Sequence, residues 1–345
     1  MSALTIEQYS GDGCEWDSFV DSQSGATNYH LFGWRGVVEK SFKHAAHYLA
    51  ARNTKGAIVG ILPLVRMQSR LFGHFLVSVP FFNYGGLLCS DPQAASPLLK
   101  EAGRLMAETG ASYVELRHRG WQLENAPAKT GKVTMLLELA LDVDSQWKAF
   151  NAKLRNQVRK AEKSGLQVVT GGRELLDGFY EVFCRNMRDL GTPVYGKWFF
   201  ANVLATFPQS CRIISVLHGD TVIASGIACW YRGTIEIPWA SSNRDYKALC
   251  PNNILYWKAI SFAIENGFST FDFGRSTPGE GTYKFKEQWG AKPLQLYWQY
   301  LLREGEPLPA INNKNPKFDL AIRVWQKLPL PLTRILGPHI VKNIP

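Results

Sequence analysis

Residues Ser269–Gly290 read STFDFGRSTPGEGTYKFKEQWG. Aromatic, acidic and aromatic side chains alternate at Phe271-Asp272-Phe273, which predicts a short buried strand. A loop rich in glycine follows, and then lysines among aromatic residues up to Trp289-Gly290. Loops at strand ends often carry binding groups, so the stretch predicts a site for an anionic or carbonyl-bearing substrate. A hairpin loop with solvated lysines is the alternative.

Length and charge limit the class of protein. A chain of 345 residues predicts two domains, and 46% hydrophobic residues are enough for packed cores. The net charge of +10 favours anionic partners such as phosphates, a nucleic acid or an anionic membrane face. The six cysteines form no C-x-x-C pair, which indicates core thiols and not a zinc site. Because no signal-peptide or membrane-spanning pattern is present, a cytoplasmic location is predicted.

Two halves of the chain show the same predicted order of hairpin, strand, helix and strand. Glu108–Leu116 aligns with Glu265–Phe273, with Glu, Gly and Ser in register and Glu115 opposite Asp272. The pattern predicts an internal duplication of two α/β units with mixed, mostly antiparallel sheets.

A basic helix is predicted between the halves, from Asp144 to Ser164, with six cations and Glu162. Arg155 and Arg159 are one helical turn apart, so the two side chains would hold a phosphate together. A solvated face is the alternative.

A second polar stretch, Ser241 to Asn253, leads into a helix predicted from Ile254. Helix starts bind anions, and Arg244 and Lys247 add charge; simple capping by Asn252 or Asn253 is the alternative. Tyr195 lies in a polar-to-aromatic corner that is interpreted either as a pocket rim or as a turn between helices.

The last part of the chain is predicted to be a linker, residues 304–316, followed by an amphipathic helix around Phe318–Lys327. The tail from residue 328 is apolar and basic and contains no acid. Residues 317–345 either cover the core or lie against an anionic membrane.

Several motifs together resemble one family. Phe271–Ser276, Phe285-Lys286, Trp289–Ala291 and the basic helix 154–161 resemble the FemAB-like group of the GNAT acyltransferase superfamily. With Arg185–Pro193 (RNMRDLGTP), the chain is most similar to the subgroup that accompanies exosortase (PEP-CTERM) and exopolysaccharide gene clusters. The resemblance covers most of residues 1–305.

The resemblance implies tandem GNAT-like domains, of the acyl-CoA N-acyltransferase type. The first would span residues 1–140, and the second, with the FDFGR and FK motifs, residues 141–305. Residues 306–345 would be linker and C-terminal tail.

The family transfers acyl groups, often aminoacyl groups from charged tRNA, to an amine of a cell-wall precursor. By that resemblance Lys286, preceded by Phe285, would polarise the attacked carbonyl. Asp272 is interpreted as a buried acid that pairs with Arg275 and orients the loop, and its use as a general base is the alternative. Candidate residues for binding donor or acceptor are Arg155, Arg159, Tyr195, Ser241, Arg244, Asn252, Asn253, Lys284 and Trp289.

The chain departs from the family in two ways. It has no room for the long helical arm of the peptidoglycan aminoacyltransferases, because the basic helix runs into Gly165 and a strand. It also lacks the R/Q-x-x-G-x-G/A phosphate loop, and residues 244–253 stand at that place. Three acyl donors therefore remain open: acyl-CoA, acyl carrier protein and aminoacyl-tRNA.

The sequence therefore predicts an N-acyl or aminoacyl transferase acting on a cell-envelope or exopolysaccharide-related acceptor, a small-molecule, glycan or peptide amine. No permanently bound cofactor and no metal are expected. The rival hypotheses are a tRNA-binding or other nucleic-acid-binding module without turnover, and a non-catalytic scaffold at the membrane face. The predicted location is cytoplasmic, with peripheral contact at the inner face of the membrane as a further expectation.

Overall fold

The computed structural model describes residues 4–70, 72–309 and 316–344. Helices α1 to α11 are Cys14–Ser22, Gly33–Phe42, Ala95–Thr109, Val143–Ala149, Ala152–Lys163, Leu176–Leu190, Lys197–Thr206, Pro251–Glu265, Gly281–Glu287, Pro316–Lys327 and Leu330–Val341. Strands β1 to β14 are Thr5–Gln8, Ala46–Arg52, Ile58–Ser69, Gly73–Val77, Leu88–Cys89, Tyr113–Arg119, Ala128–Lys129, Val133–Glu138, Gln167–Gly171, Cys211–His218, Thr221–Tyr231, Thr234–Ser242, Thr270–Ser276 and Lys292–Leu302.

The chain forms two compact units. As far as their residues are described, unit 1 takes Met1–Val133, Leu294–Ala310 and Asn343–Pro345, and unit 2 takes Thr134–Pro293 and Ile311–Lys342. The division predicted from the sequence, at residues 140 and 305, differs because most of β14 pairs with β6 of unit 1. Part of the predicted linker, residues 310–315, lies outside the described residues.

Unit 1 is built on a sheet with the strand order β1-β2-β3-β4-β6-β14. Its strand pairs are antiparallel except β4 and β6, which are parallel. Helix α3 packs on this sheet through Leu98, Ala102, Leu105 and Met106, the helical face expected from their spacing. The core of unit 1 is therefore a helix-on-sheet core.

Unit 2 is built on a sheet with the order β8-β13-β12-β11-β10-β9. Strands β9 to β12 pair antiparallel, and β12 and β13 pair parallel. Helix α8 connects β12 to β13 and is apolar around most of its circumference, which is typical of a helix buried on several sides. This crossover helix carries the site described below.

The predicted duplication is confirmed by the strand register. In unit 1, β4 pairs with β6 at Val77↔Glu115, and in unit 2, β12 pairs with β13 at Glu236↔Asp272. In both units a helix connects the two parallel strands, and the acid of the second strand lies at the last paired position. Glu115 and Asp272 are thus equivalent, as the alignment predicted.

Two local predictions, and one alternative, were wrong in detail. The continuous basic helix is interrupted, because Asn151 caps a new helix by accepting a hydrogen bond from the Leu154 amide. The lysine-rich run after the glycine loop is helix α9 and not a hairpin loop. Helix α8 starts at Pro251, before the predicted Ile254, because proline suits the first helical turn.

Candidate functional site

The two parallel strands of unit 2 separate at the end where the site lies. Pairing of β12 with β13 stops at Glu236↔Asp272, although β12 continues to Ser242 and β13 to Ser276. Strand ends that diverge leave backbone groups without their neighbouring strand. These groups need other partners, since an unpaired buried carbonyl or amide is costly.

Asp272 and Gly274 shape the end of β13. The buried Asp272 carboxylate accepts hydrogen bonds from the Thr134 hydroxyl at 2.6 Å and from the Gly274 amide at 2.7 Å. Gly274 has a φ of 74°, a left-handed conformation that favours glycine. This conformation turns the carbonyl groups of Gly274 and Arg275 toward a common partner.

That partner is Lys286 of α9, whose side chain is 8% exposed. Its Nζ donates to the carbonyl oxygens of Gly274 and Arg275, each at 2.9 Å. Burial lowers the pKa of Lys286 to about 8, the Asp272 carboxylate opposes this shift, and the Arg275 guanidinium adds to it. An ammonium group has three N–H donors, so one remains for a further acceptor.

A groove of about 490 Å³ opens beside the end of β12, at Ser242. Its lining includes the starts of α5 and α8 and one side of α9: Asn151, Lys153, Gln157, Ser242, Lys247, Cys250, Pro251, Asn252, Asn253, Gly281, Lys284, Phe285 and Gln288. Among these lining residues are three lysines and no acid. No side chain caps the first turn of α8, and Cys250, with a φ of 56°, turns the chain sharply into that helix. Helix starts and lysines together favour an anionic ligand.

Phe285 forms the apolar wall of the groove. Its ring lies 5.3 Å from Tyr256 and 6.3 Å from Trp289, between centroids. Trp289 is fully buried and also meets Phe150 edge-on, at 5.3 Å. The aromatic residues of the FK and WG motifs thus fix α9 against α8, and this packing holds Lys284 at the groove.

The predicted site residues divide into two groups. Asn252, Asn253, Lys284 and Phe285 line the groove together. The lining does not include Lys286, Asp272, Arg275 or Trp289, which build the strand end and its support. The Arg275 side chain is exposed, and its carbonyl oxygen contacts Lys286.

The remaining predicted binding residues have other contacts. Arg159 lies over the Trp147 ring at 5.5 Å, and the half-buried Arg155 is not among the groove residues. Arg244 donates to the Asp189 carbonyl at 2.9 Å. Buried Ser241 accepts from the Asn186 amide at 3.0 Å. Tyr195 packs on Phe199 at 5.0 Å, within an aromatic corner.

Sequence reasoning missed several groove residues. Lys153 and Gln157 of α5 face the groove in place of Arg155 and Arg159, and Gln157 accepts from the Asn253 amide at 3.2 Å. Both pairs have the same spacing on a basic helix, so spacing alone could not choose between them. Buried Glu236, which lies beside Asp272 and outside the groove lining, was not predicted either. Its signal was the alternation Ile235-Glu236-Ile237, the same pattern as Phe271-Asp272-Phe273.

The equivalent strand end in unit 1 is closed by the chain itself. The Ser78 amide donates to the Glu115 carbonyl at 2.8 Å, and the Gly85 amide donates to the Arg117 carbonyl at 3.1 Å. The buried Arg117 guanidinium donates to the Phe82 carbonyl at 2.6 Å. The loop 78–86 therefore supplies the hydrogen-bond partners of this strand end in unit 1.

Unit 2 thus combines a mixed sheet, whose parallel strands diverge, with a crossover helix that starts where they separate. Residues 148–287, from α4 to the end of α9, match the family described as "Acetyltransferase (GNAT) domain". No curated protein matches the chain.

Solved structures show the same fold over most of the chain. FemX is 15% identical, with a TM-score of 0.65, and the match covers 86% of this chain and 97% of FemX. A tandem GNAT protein from the clavulanic acid biosynthesis pathway is 11% identical, with a TM-score of 0.56 and coverage of 89% and 100%. L-PGS from Bacillus licheniformis is 13% identical, with a TM-score of 0.53 and coverage of 92% and 98%. The chain therefore has an α/β GNAT fold, and its neighbours include a tandem GNAT protein.

Proposed function

We propose that the protein is an acyltransferase that forms an amide on an amine-bearing acceptor and holds the phosphates of its acyl donor in the groove of unit 2. The observation that carries this proposal is the acid-free lining, in which Lys153, Lys247 and Lys284 surround the uncapped start of α8. Such a site stabilises phosphate groups through both lysine charge and helix dipole. The match of residues 148–287 to the acetyltransferase domain supports the same chemistry.

Lys286 would act next to this groove, where the attacked carbonyl of the donor would lie. Two of its N–H groups are held by backbone carbonyls, so the direction of the third is fixed by the protein and not by the substrate. A preoriented donor of this kind stabilises the negative charge that develops on a carbonyl oxygen in the transition state. Phe285, on the groove wall, would support the acyl chain.

The acceptor is proposed to be an amine of a cell-envelope or exopolysaccharide-related molecule, in a system that includes an exosortase. The motifs shared with the FemAB-like group support the cell-envelope part, and RNMRDLGTP at residues 185–193 supports the exosortase part. The structural likeness to FemX agrees with the cell-envelope part of the proposal at the level of fold only.

The donor can be identified by native mass spectrometry of the purified chain. Acyl-CoA, acyl carrier protein and aminoacyl-tRNA would be offered separately, and we expect one of them to be retained. Replacing Lys247 by alanine should weaken retention, whereas replacing the exposed Lys100 of unit 1 should not. Retention of none of the three would refute the proposed donor site. Equal retention of uncharged tRNA, with a steep salt dependence and no transfer to any amine, would favour a nucleic-acid-binding module instead.

A further inference from the structure

The two C-terminal helices carry much of the apolar surface that unit 2 exposes. Of the twelve large hydrophobic side chains exposed in the described chain, six lie between Leu320 and Leu336. Isolated exposed apolar residues are normal, but contiguous apolar patches commonly mark interaction sites. Both helices, α10 and α11, pack against α6.

Helix α11 has two opposite apolar sides. One side is buried through Thr333, Gly337 and Val341, and Gly337 lies so close to Val194 that an added Cβ would be 2.8 Å from the Val194 amide nitrogen. The opposite side presents Leu332, Ile335 and Leu336, with Ile335 65% exposed. The packing of α11 on unit 2 therefore uses one apolar side of the helix, and the second apolar side stays exposed to solvent.

Helix α10 repeats this arrangement with positive charge added. Trp325 is buried, whereas Leu320 and Val324 are 64% and 52% exposed. Arg323 and Lys327 lie at i+3 and i+7 from Leu320, so they share its side of the helix and are exposed as well. We call the sides of α10 and α11 that face away from α6 the C-terminal outer face. It consists of Leu320, Arg323, Val324, Lys327, Leu332, Ile335 and Leu336.

Charge indicates what this face contacts. Between residues 316 and 342 the sequence has five lysines and arginines and one acid, Asp319. A second copy of the chain would place like charges together, in a protein whose net charge is already +10. An anionic lipid surface satisfies both properties, because it attracts the cations and accepts the apolar side chains.

We propose that the C-terminal outer face binds the surface of an anionic membrane, with α10 and α11 lying parallel to it. In the described part of the chain, no helix is long and apolar enough to cross a bilayer. Each of the two helices has 12 residues, too few to span the hydrocarbon layer but suited to lying in its interface. The inference is independent of the acyl-transfer chemistry.

Vesicle co-sedimentation tests the proposal on the full chain. Vesicles of phosphatidylcholine alone are compared with an equimolar mixture of phosphatidylcholine and phosphatidylglycerol, and we expect binding to the mixture only, weakened by salt. The double change Ile335→Ser and Leu336→Ser should lower the affinity by about tenfold or more. The double change Arg323→Glu and Lys327→Glu should lower it by at least about tenfold.

Matched controls are an apolar residue and a cation elsewhere on the surface. Leu141→Ser, at a fully exposed leucine, and Lys100→Glu should bind vesicles like the wild type. Equal melting temperatures would show that the variants fold. Absence of wild-type binding to the mixed vesicles would overturn the proposal, and so would full binding by the Ile335→Ser, Leu336→Ser variant. A dimer in light scattering that this variant disrupts would show that a second copy covers the face instead.

Discussion

Replacing Lys286 by methionine removes a buried cation and should abolish the pH dependence of stability that this cation causes. Burial holds the folded pKa of Lys286 at about 8, against an ordinary value of 10.5. Between these two values the unfolded chain binds more protons than the folded chain, so stability rises as the pH rises. The penalty for the charged form is about 3 kcal/mol at pH 7, and about 2 kcal/mol of it is relieved by pH 9.5.

The assay is urea unfolding of the wild type and Lys286→Met at both pH values. All other titrating groups are common to the two proteins, so the difference between them isolates Lys286. We expect the wild type to gain about 2 kcal/mol relative to the variant from pH 7 to pH 9.5. Methionine also leaves the carbonyls of Gly274 and Arg275 without their donor, so amide formation should be lost while donor binding persists.

The matched control is Lys284→Met, since Lys284 is exposed on the same helix. That variant should show the wild-type change in stability with pH. A constant difference between wild type and Lys286→Met at the two pH values would refute the reasoning, because it would place the Lys286 ammonium in water. Unchanged amide formation by Lys286→Met would refute its assigned role in the reaction.

Three further predictions concern the site and unit 1. Gly274→Ala should cost about 1–2 kcal/mol, measured by urea unfolding, because alanine disfavours the φ of 74°, and unchanged stability would contradict this. The double change Lys247→Ala and Lys284→Ala should weaken acyl-donor binding about tenfold and flatten its salt dependence, measured by calorimetry. Burial lowers the pKa of His30 and His118 to about 4. Between about pH 4 and 6.5 the unfolded chain therefore binds more protons than the folded chain. Unfolding scans should show that stability falls as the pH falls through this range. His118→Asn should reduce that fall.

Much of the fold could be predicted from local pattern. Three features show which side of an element is buried: the apolar spacing of α3, the alternation in β13, and the aligned acids Glu115 and Asp272. The order of apolar and polar residues along the chain is enough to predict that side. The break at Asn151 was missed because lysine and arginine continue the helical pattern on both sides of it. A single capping residue decided that boundary.

Part of the candidate site could be predicted from the sequence. The directions in which its side chains point could not be. The sequence indicated that the FDFGR stretch, the FK pair and the residues before α8 belong together, and the groove does bring Asn252, Asn253, Lys284 and Phe285 to one place. It did not show that Nζ of Lys286 is held by the carbonyls of Gly274 and Arg275. Long side chains can point in several directions from one backbone position, and neighbours distant in sequence select among them.

The sequence by itself determined the duplicated α/β architecture, the basic character of the chain and the short motifs that resemble one acyltransferase group. Only the tertiary structure decided what each strand end contacts. In unit 1 the loop 78–86 supplies the hydrogen-bond partners, whereas in unit 2 Lys286 does so and a groove lies beside the start of α8. The physical reason is that hydrogen-bond partners of a diverging strand come from remote parts of the chain, so their identity depends on packing and not on local sequence.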